Sequence, residues 1–255
     1  MRAMVMAAGL GTRLRPLTDH LPKPMAPIAN RPVLGHLLAR LARSRVEAAI
    51  VNLHYHPDAI RSYFGDGRRA GVELAYSFED ELLGTAGGTK RCEDFLTAAG
   101  DDCFLVTSGD GLHDVDLDAL AARHRASGAL ATLALKAVRD VEEFGIAVVD
   151  GDGLITGFQE KPKRDEALSD LASLGVYCLS TEVLARIPAG TFYDFGKQVL
   201  PDLVAAGERV AGYVTEAYWS DVGSIDELVA SNGAAVRGET GVELPGEEVA
   251  PGVRV

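Results

Sequence analysis

The first stretch able to do chemistry is MAAGLGTRLRPLTDHLPKPM, residues 6–25, where Gly9, Gly11, Arg13, Arg15 and Lys23 crowd in behind a short apolar run. Glycine permits a tight turn and lets the backbone approach a ligand. Successive N–H groups in such a turn form a nest for an anion. Arg13 brings paired planar donors suited to phosphate, and Lys23 adds a point charge. The combination suits the polyphosphate of a nucleoside triphosphate. For the glycine pair alone, a solvated surface turn is an equally good reading. Two familiar motifs are excluded. The dinucleotide fingerprint needs a third glycine where Leu14 stands, and the Gly-Lys-Ser/Thr of the P-loop is missing.

A second candidate is the turn Ser108-Gly109-Asp110, which follows an apolar run. A carboxylate at a strand end can take Mg2+, although a lone aspartate in a turn is more often a cap or a solvated group. His54 and His56 would share one side of an extended segment, but no third ligand lies nearby in sequence, so a structural role is favoured.

These groups need a scaffold. Residues 3–7 read as a buried strand, 31–44 as a helix with a leucine stripe, 48–52 as a strand, 58–64 as a helix and 72–76 as a strand. A strand at 103–107, a helix at 116–127 and a strand at 130–136 follow. Strands alternating with helices predict an α/β fold, a mostly parallel sheet flanked by helices, with ligands at the carboxyl ends of the strands. The second half is richer in strands, at 145–149, 154–158, 174–179 and 209–214, with a turn at Gly151-Asp152-Gly153 and helices near 196–206 and 224–236. Residues 237–255 change character: glycine and proline alternate with valine, and no helix is expected.

The chain has 255 residues and a formal net charge of −12. A generic nucleic-acid binder would carry a basic excess, so no nucleic-acid partner is expected. Three cysteines, Cys92, Cys103 and Cys178, show no CxxC or zinc spacing and read as packing residues in a reducing compartment. No secretory pattern and no apolar run near the roughly 20 residues of a membrane helix is seen, so a cytoplasmic protein with no membrane partner is expected.

The run Gly9, Gly11, Thr12, Arg13, Leu14, Pro16, Leu17, Thr18, then Lys23-Pro24, resembles the signature of the sugar-1-phosphate nucleotidylyltransferases. Further matches follow in the family's order: Leu83-Gly84-Thr85-Ala86-Gly87-Gly88, Gly109-Asp110, Phe144-Gly145, Glu160-Lys161-Pro162, Gly175-x-Tyr177 and Trp219-x-Asp221-Val222-Gly223. Within the family the chain most resembles the bacterial mannose-1-phosphate guanylyltransferases. The resemblance implies a Rossmann-like, GT-A-like nucleotidyltransferase domain over 1–236, with a smaller inserted sugar-binding sub-domain. It also implies a tail over 237–255 similar to the first coil of a left-handed β-helix, loosely held or packed on a partner. The implied reaction joins an NTP, GTP by the nearest likeness, to a sugar 1-phosphate, giving an NDP-sugar and pyrophosphate with Mg2+ as cofactor.

In such an in-line displacement the attacking oxygen is already anionic, so cations and metal ligands matter more than a general base. The resemblance assigns catalysis to Arg13, Lys23, Asp110 and Asp221, with Asp110 and Asp221 as metal ligands. Ala8, Gly9, Gly11, Thr12, Arg13, Gly84, Thr85 and Gly87 are implied for the nucleotide, and Gly145, Glu160, Lys161 and Ser173 for the sugar phosphate. Trp219 is expected to pack beside Asp221, and His113 is given no role.

Ser173 replaces the family's usual asparagine, and Gly111 and His113 replace the usual alanine and threonine. A hydroxyl is shorter than an amide and offers fewer kinds of partner. These departures imply an acceptor other than mannose 1-phosphate, such as another hexose phosphate or a cyclitol phosphate. UTP or dTTP is the alternative donor. A non-catalytic binding subunit and transfer to a choline-type or phosphonate acceptor are weaker readings. A homo-oligomer is the default for assembly.

Overall fold

The computed structural model describes residues 1–244, 246–250 and 253–254. Its strands are β1 (Arg2–Met6), β2 (Pro27–Ile28), β3 (Arg31–Pro32), β4 (Ala48–Leu53), β5 (Glu73–Phe78), β6 (Cys103–Ser108), β7 (Leu112–His113), β8 (Ala131–Ala137), β9 (Gly145–Val149), β10 (Ile155–Glu160), β11 (Leu171–Ser180), β12 (Val210–Val214), β13 (Trp219–Ser220), β14 (Glu248–Ala250) and β15 (Val253–Arg254). The helices are α1 (Val33–Arg43), α2 (Pro57–Phe64), α3 (Gly84–Arg91), α4 (Glu93–Thr97), α5 (Leu117–Ser127), α6 (Leu200–Ala205) and α7 (Ile225–Val236).

Among the described residues one nine-stranded sheet runs β10-β9-β11-β6-β1-β4-β5, with β8 pairing β11 and β12 pairing β8. β1, β4, β5 and β6 are parallel, as the alternating pattern predicts. β11 enters antiparallel beside β6, and β9 and β10 form an antiparallel hairpin. The sheet is therefore a mixed α/β sheet with an antiparallel extension in the second half. In the hairpin turn, Asp150 accepts hydrogen bonds from the Asp152 and Leu154 amides.

β1 from Ala3 to Met6 and β6 from Cys103 to Val106 are apolar because both their faces are covered. Ala3, Val5 and Leu105 point into one core with the leucines of α1, while Met4, Phe104 and Val106 point into the other. A third, smaller cluster of Leu14, Ile28, Val33, Leu112 and Val222 anchors the glycine turn to the body. β11 is long and bent. Its register against β8 shifts between Ser173 and Tyr177, with Gly175 at φ 69°; on the other side its first residues pair with β9 and its later ones with β6.

Several expectations are refined. Residues 31–32 pair with β2 instead of starting the helix, because Pro32 is extended. Residues 84–97 are helical although glycine-rich. α3 is held by the Tyr193 carbonyl, which accepts from the Ala86 and Gly87 amides. Residues 195–199 form a wide i→i+5 turn before α6, a feature frequent at functional sites.

The expected β-helix coil lies partly outside the described residues. Within them, β14 and β15 pair antiparallel. The segment before them is tied down: the Gly241 amide donates to Asp114, and Arg43 pairs with Glu243 at 3.1 Å. Among the described residues, no helix is long and apolar enough to cross a membrane.

Candidate active site

The glycine turn leaves the carboxyl end of β1, and the Ser108-Gly109-Asp110 turn leaves the adjacent end of β6. Gly11 adopts φ 62°, and a Cβ there would meet the Lys23 Cβ at 2.9 Å. The turn and the lysine are thus packed against one another. A small polar concavity gathers Gly11, Thr12, Arg13, Lys23, Asp110 and Gly223. Lys23 Nζ is 2.9 Å from Asp110. Arg13 reaches Asp221 at 3.2 Å and Glu143 at 3.3 Å. Arg13 and Lys23, the two cations expected on the triphosphate, are each paired with a carboxylate.

Asp110 and Asp221 come together through the two-residue ladder β7–β13, in which Leu112 pairs with Ser220. A Cβ on Gly111 would lie 3.2 Å from the Ser220 carbonyl and 3.8 Å from the Asp221 Cα. Hard oxygen donors at the end of one ladder fit Mg2+, which binds through one or two carboxylates plus substrate phosphates. Asp110 and Asp221 are the carboxylates that could hold such an ion. Val222, between Asp221 and Gly223, adopts φ 48°. A β-branched residue there is a genuine outlier, and such strain persists where the surrounding structure over-determines it.

One cavity of about 250 Å³ opens along α3 and the glycine turn. Ala8, Gly9, Gly84 and Thr85 line it as the resemblance implies, together with Asn52, Glu79 and Leu82, which were not singled out. Asn52 is a strut. Its Oδ1 accepts from the Ala7 amide at 2.7 Å, and its Nδ2 donates to Glu79 at 2.7 Å. The other Glu79 oxygen accepts from the Leu83 amide at 3.0 Å. Glycine turn, strut and α3 are thereby locked together. Gly87 is not among the residues lining the cavity: its amide donates to the Tyr193 carbonyl, and a Cβ there would meet the Thr191 carbonyl at 2.5 Å. Its smallness serves packing.

A second cavity of about 250 Å³ shares Met6, Thr85, Ser108 and Asp194 with the first. Gly145, Glu160, Lys161, Ser173 and Asp221 line it, so all four residues implied for the sugar phosphate are brought together. A Cβ on Gly145 would meet Phe158 at 2.5 Å and Glu160 at 3.0 Å. Burial, then the nearby Asp194 charge, pushes the Glu160 carboxyl above its usual range. Lys161 adopts φ 51°. Trp219 donates to the Leu174 carbonyl at 3.1 Å and packs edge-on against Phe144. Ser173 Oγ is 3.4 Å from the Tyr177 hydroxyl. Asp194 is the hinge between the cavities. It accepts from Thr85 Oγ1, Gly196 N and Lys197 N. Asp194 was not singled out in the sequence, where it stands in the run Tyr193-Asp194-Phe195.

His54 Nδ1 contacts the Glu79 carbonyl at 2.8 Å, a structural role. His113 is buried beside Thr107, and its Nδ1 has no partner. Desolvation lowers its pKa to about 3.

A mixed sheet whose parallel strands carry two adjoining cavities and a cationic glycine turn at their carboxyl ends has the layout of a nucleotide-binding α/β protein. The Nucleotidyl transferase family model matches residues 2–237, and the chain belongs to that family. It is 41% identical over 265 residues to the UTP–glucose-1-phosphate uridylyltransferase of Synechocystis sp., covering 99% of this chain and 68% of that protein. It is 37% identical over 237 residues to the mannose-1-phosphate guanylyltransferase of Mycobacterium tuberculosis, covering 92% and 65%. The chain thus spans about two thirds of the length of these relatives. HddC from Yersinia pseudotuberculosis matches with a TM-score of 0.76 at 24% identity, over 92% of this chain and 99% of that one. A UDP-glucose pyrophosphorylase complexed with UDP-glucose matches at 0.79 and 20%, over 93% and 98%. These two likenesses concern the fold.

Proposed function

We propose that the protein transfers a nucleotidyl group from an NTP to a sugar or sugar-like 1-phosphate, releasing pyrophosphate. The observation that carries this reading is the shared wall of the two cavities, at Ser108, Thr85 and Asp194, beside the Lys23–Asp110 pair. A nucleotide in one cavity and a sugar phosphate in the other would meet at the cations, where in-line attack on the α-phosphorus needs positioning and charge neutralisation. Arg13 and Lys23 would bind the phosphates, Asp110 and Asp221 Mg2+, and Lys161 and Glu160 the acceptor's phosphate and hydroxyls.

GTP is the donor by the motif resemblance and by the mycobacterial relative. UTP is the second reading, supported by the 41% identity to a uridylyltransferase. Ser173 supports an acceptor other than mannose 1-phosphate, a hexose or cyclitol phosphate, because its hydroxyl is engaged with Tyr177 in place of a longer amide. The test is pyrophosphate release with Mg2+ across five NTPs, with mannose 1-phosphate, glucose 1-phosphate and a cyclitol phosphate as acceptors. One dominant NTP–acceptor pair is expected. Nucleotide binding without pyrophosphate release from any pair would overturn the catalytic reading.

A further inference from the structure

At the end of the sheet opposite the cleft, Cys103, Cys178 and His124 turn their ligand atoms toward one another, all within 4.8 Å. Cys103 opens β6, whose other end carries the catalytic turn. Five strand steps separate Cys103 from Ser108, roughly 17 Å. Cys178 lies on the neighbouring β11, paired with Leu105 on one side and Thr132 of β8 on the other. Alternation puts both thiols on one face of the sheet. His124, from the last turn of α5, closes over them. All three residues are buried.

We propose that this cluster is a structural site for a thiophilic divalent ion of the zinc type. Two thiolates and one imidazole are the donors such an ion prefers, and at ordinary zinc bond lengths ligand atoms stand about 3.5–4 Å apart. The observed spacing needs only a small closure. His124 Nδ1 lies 3.0 Å from Thr132 Oγ1, a contact of the kind that orients a ligating imidazole. These three protein donors leave the fourth tetrahedral position to water. A divalent cation bound between the two thiols would displace both protons to solvent. The ion would staple α5 to β6 and β11, stiffening the base on which the Asp110 turn stands.

The experiment uses the full chain, reduced and freed of metal, titrated with Co2+. The expected result is one equivalent bound, with thiolate-to-cobalt charge transfer, the intense visible bands of tetrahedral cobalt, and a Tm that rises with Co2+ or Zn2+. The spectrum persists in Asp110→Asn/Asp221→Asn and disappears in Cys103→Ala/Cys178→Ala. Should that double variant fold poorly, His124→Gln and protection of the wild-type thiols from a thiol reagent by one equivalent of Zn2+ test the same site. Absence of charge transfer in the reduced wild type, or an unchanged spectrum in the cysteine variant, would overturn the proposal.

Discussion

Lys23 Nζ lies 2.9 Å from a carboxylate oxygen of Asp110, with the lysine side chain 10% and the aspartate side chain 26% exposed. Both groups belong to the proposed phosphate and metal site, so the pair must open when substrates bind. Breaking a largely buried pair from one side leaves the other charge uncompensated. Lys23→Met is expected to lower kcat by about 10²–10³, the scale for one lost transition-state donor. Asp110→Asn is expected to shift the Mg2+ requirement upward. Lys23→Met/Asp110→Asn should be less destabilised than the sum of the single variants. Urea melts and Mg2+-dependent kinetics check both. Additive stability losses would mean that the pair is not coupled.

Asn52 joins the glycine turn to α3 through Ala7 and Glu79. Asn52→Ala leaves a buried amide and a buried carboxylate each short of a partner, at about 1–3 kcal/mol apiece. The expected result is a destabilised protein with a raised KM for the NTP and a nearly unchanged KM for the acceptor. Equal effects on the two KM values would detach the strut from the nucleotide cavity.

Gly145 is crowded by Phe158 and Glu160. Gly145→Ala should push one of them into the acceptor cavity and raise the acceptor KM at least about tenfold, which corresponds to about 1.4 kcal/mol. NTP binding, followed by calorimetry, should hold. A variant with wild-type acceptor KM would place the sugar elsewhere.

His113 is neutral in the fold down to a pKa of about 3, chiefly through desolvation and further through the Arg40 charge. Unfolded, it takes its proton near 6.5. The unfolded state therefore binds more protons below that pH, and stability falls as pH drops from about 6.5 toward 3. The slope from this one group is at most about 1.4 kcal/mol per pH unit. His36 and His124, also lowered by burial, act in the same direction. Thermal melts between pH 7.5 and 5 should show a steep loss in the wild type and a shallower one in His113→Phe. Parallel curves would assign the acid sensitivity to other groups.

That residues 6–25 set glycines and cations side by side was legible in the sequence, because the turn and its charges are contiguous and local. The alternation of apolar strands and amphipathic helices likewise announced the mostly parallel sheet, since burial on both faces imposes a pattern on short windows. Other features depended on which distant segments meet. The β7–β13 ladder that joins Asp110 to Asp221 is two residues long, too short to leave a periodic trace. Asn52 and Glu79 belong to no sequence motif, and only the fold brings them together between β4 and the start of α3. α3 was hidden by its glycines, whose low helix propensity is offset by the Tyr193 carbonyl from far along the chain. Cys103, His124 and Cys178 have no metal-type spacing, and only the pairing of β6 with β11 under α5 gathers them. Local chemistry is written in neighbouring residues, whereas convergence of remote side chains is decided by strand order and packing.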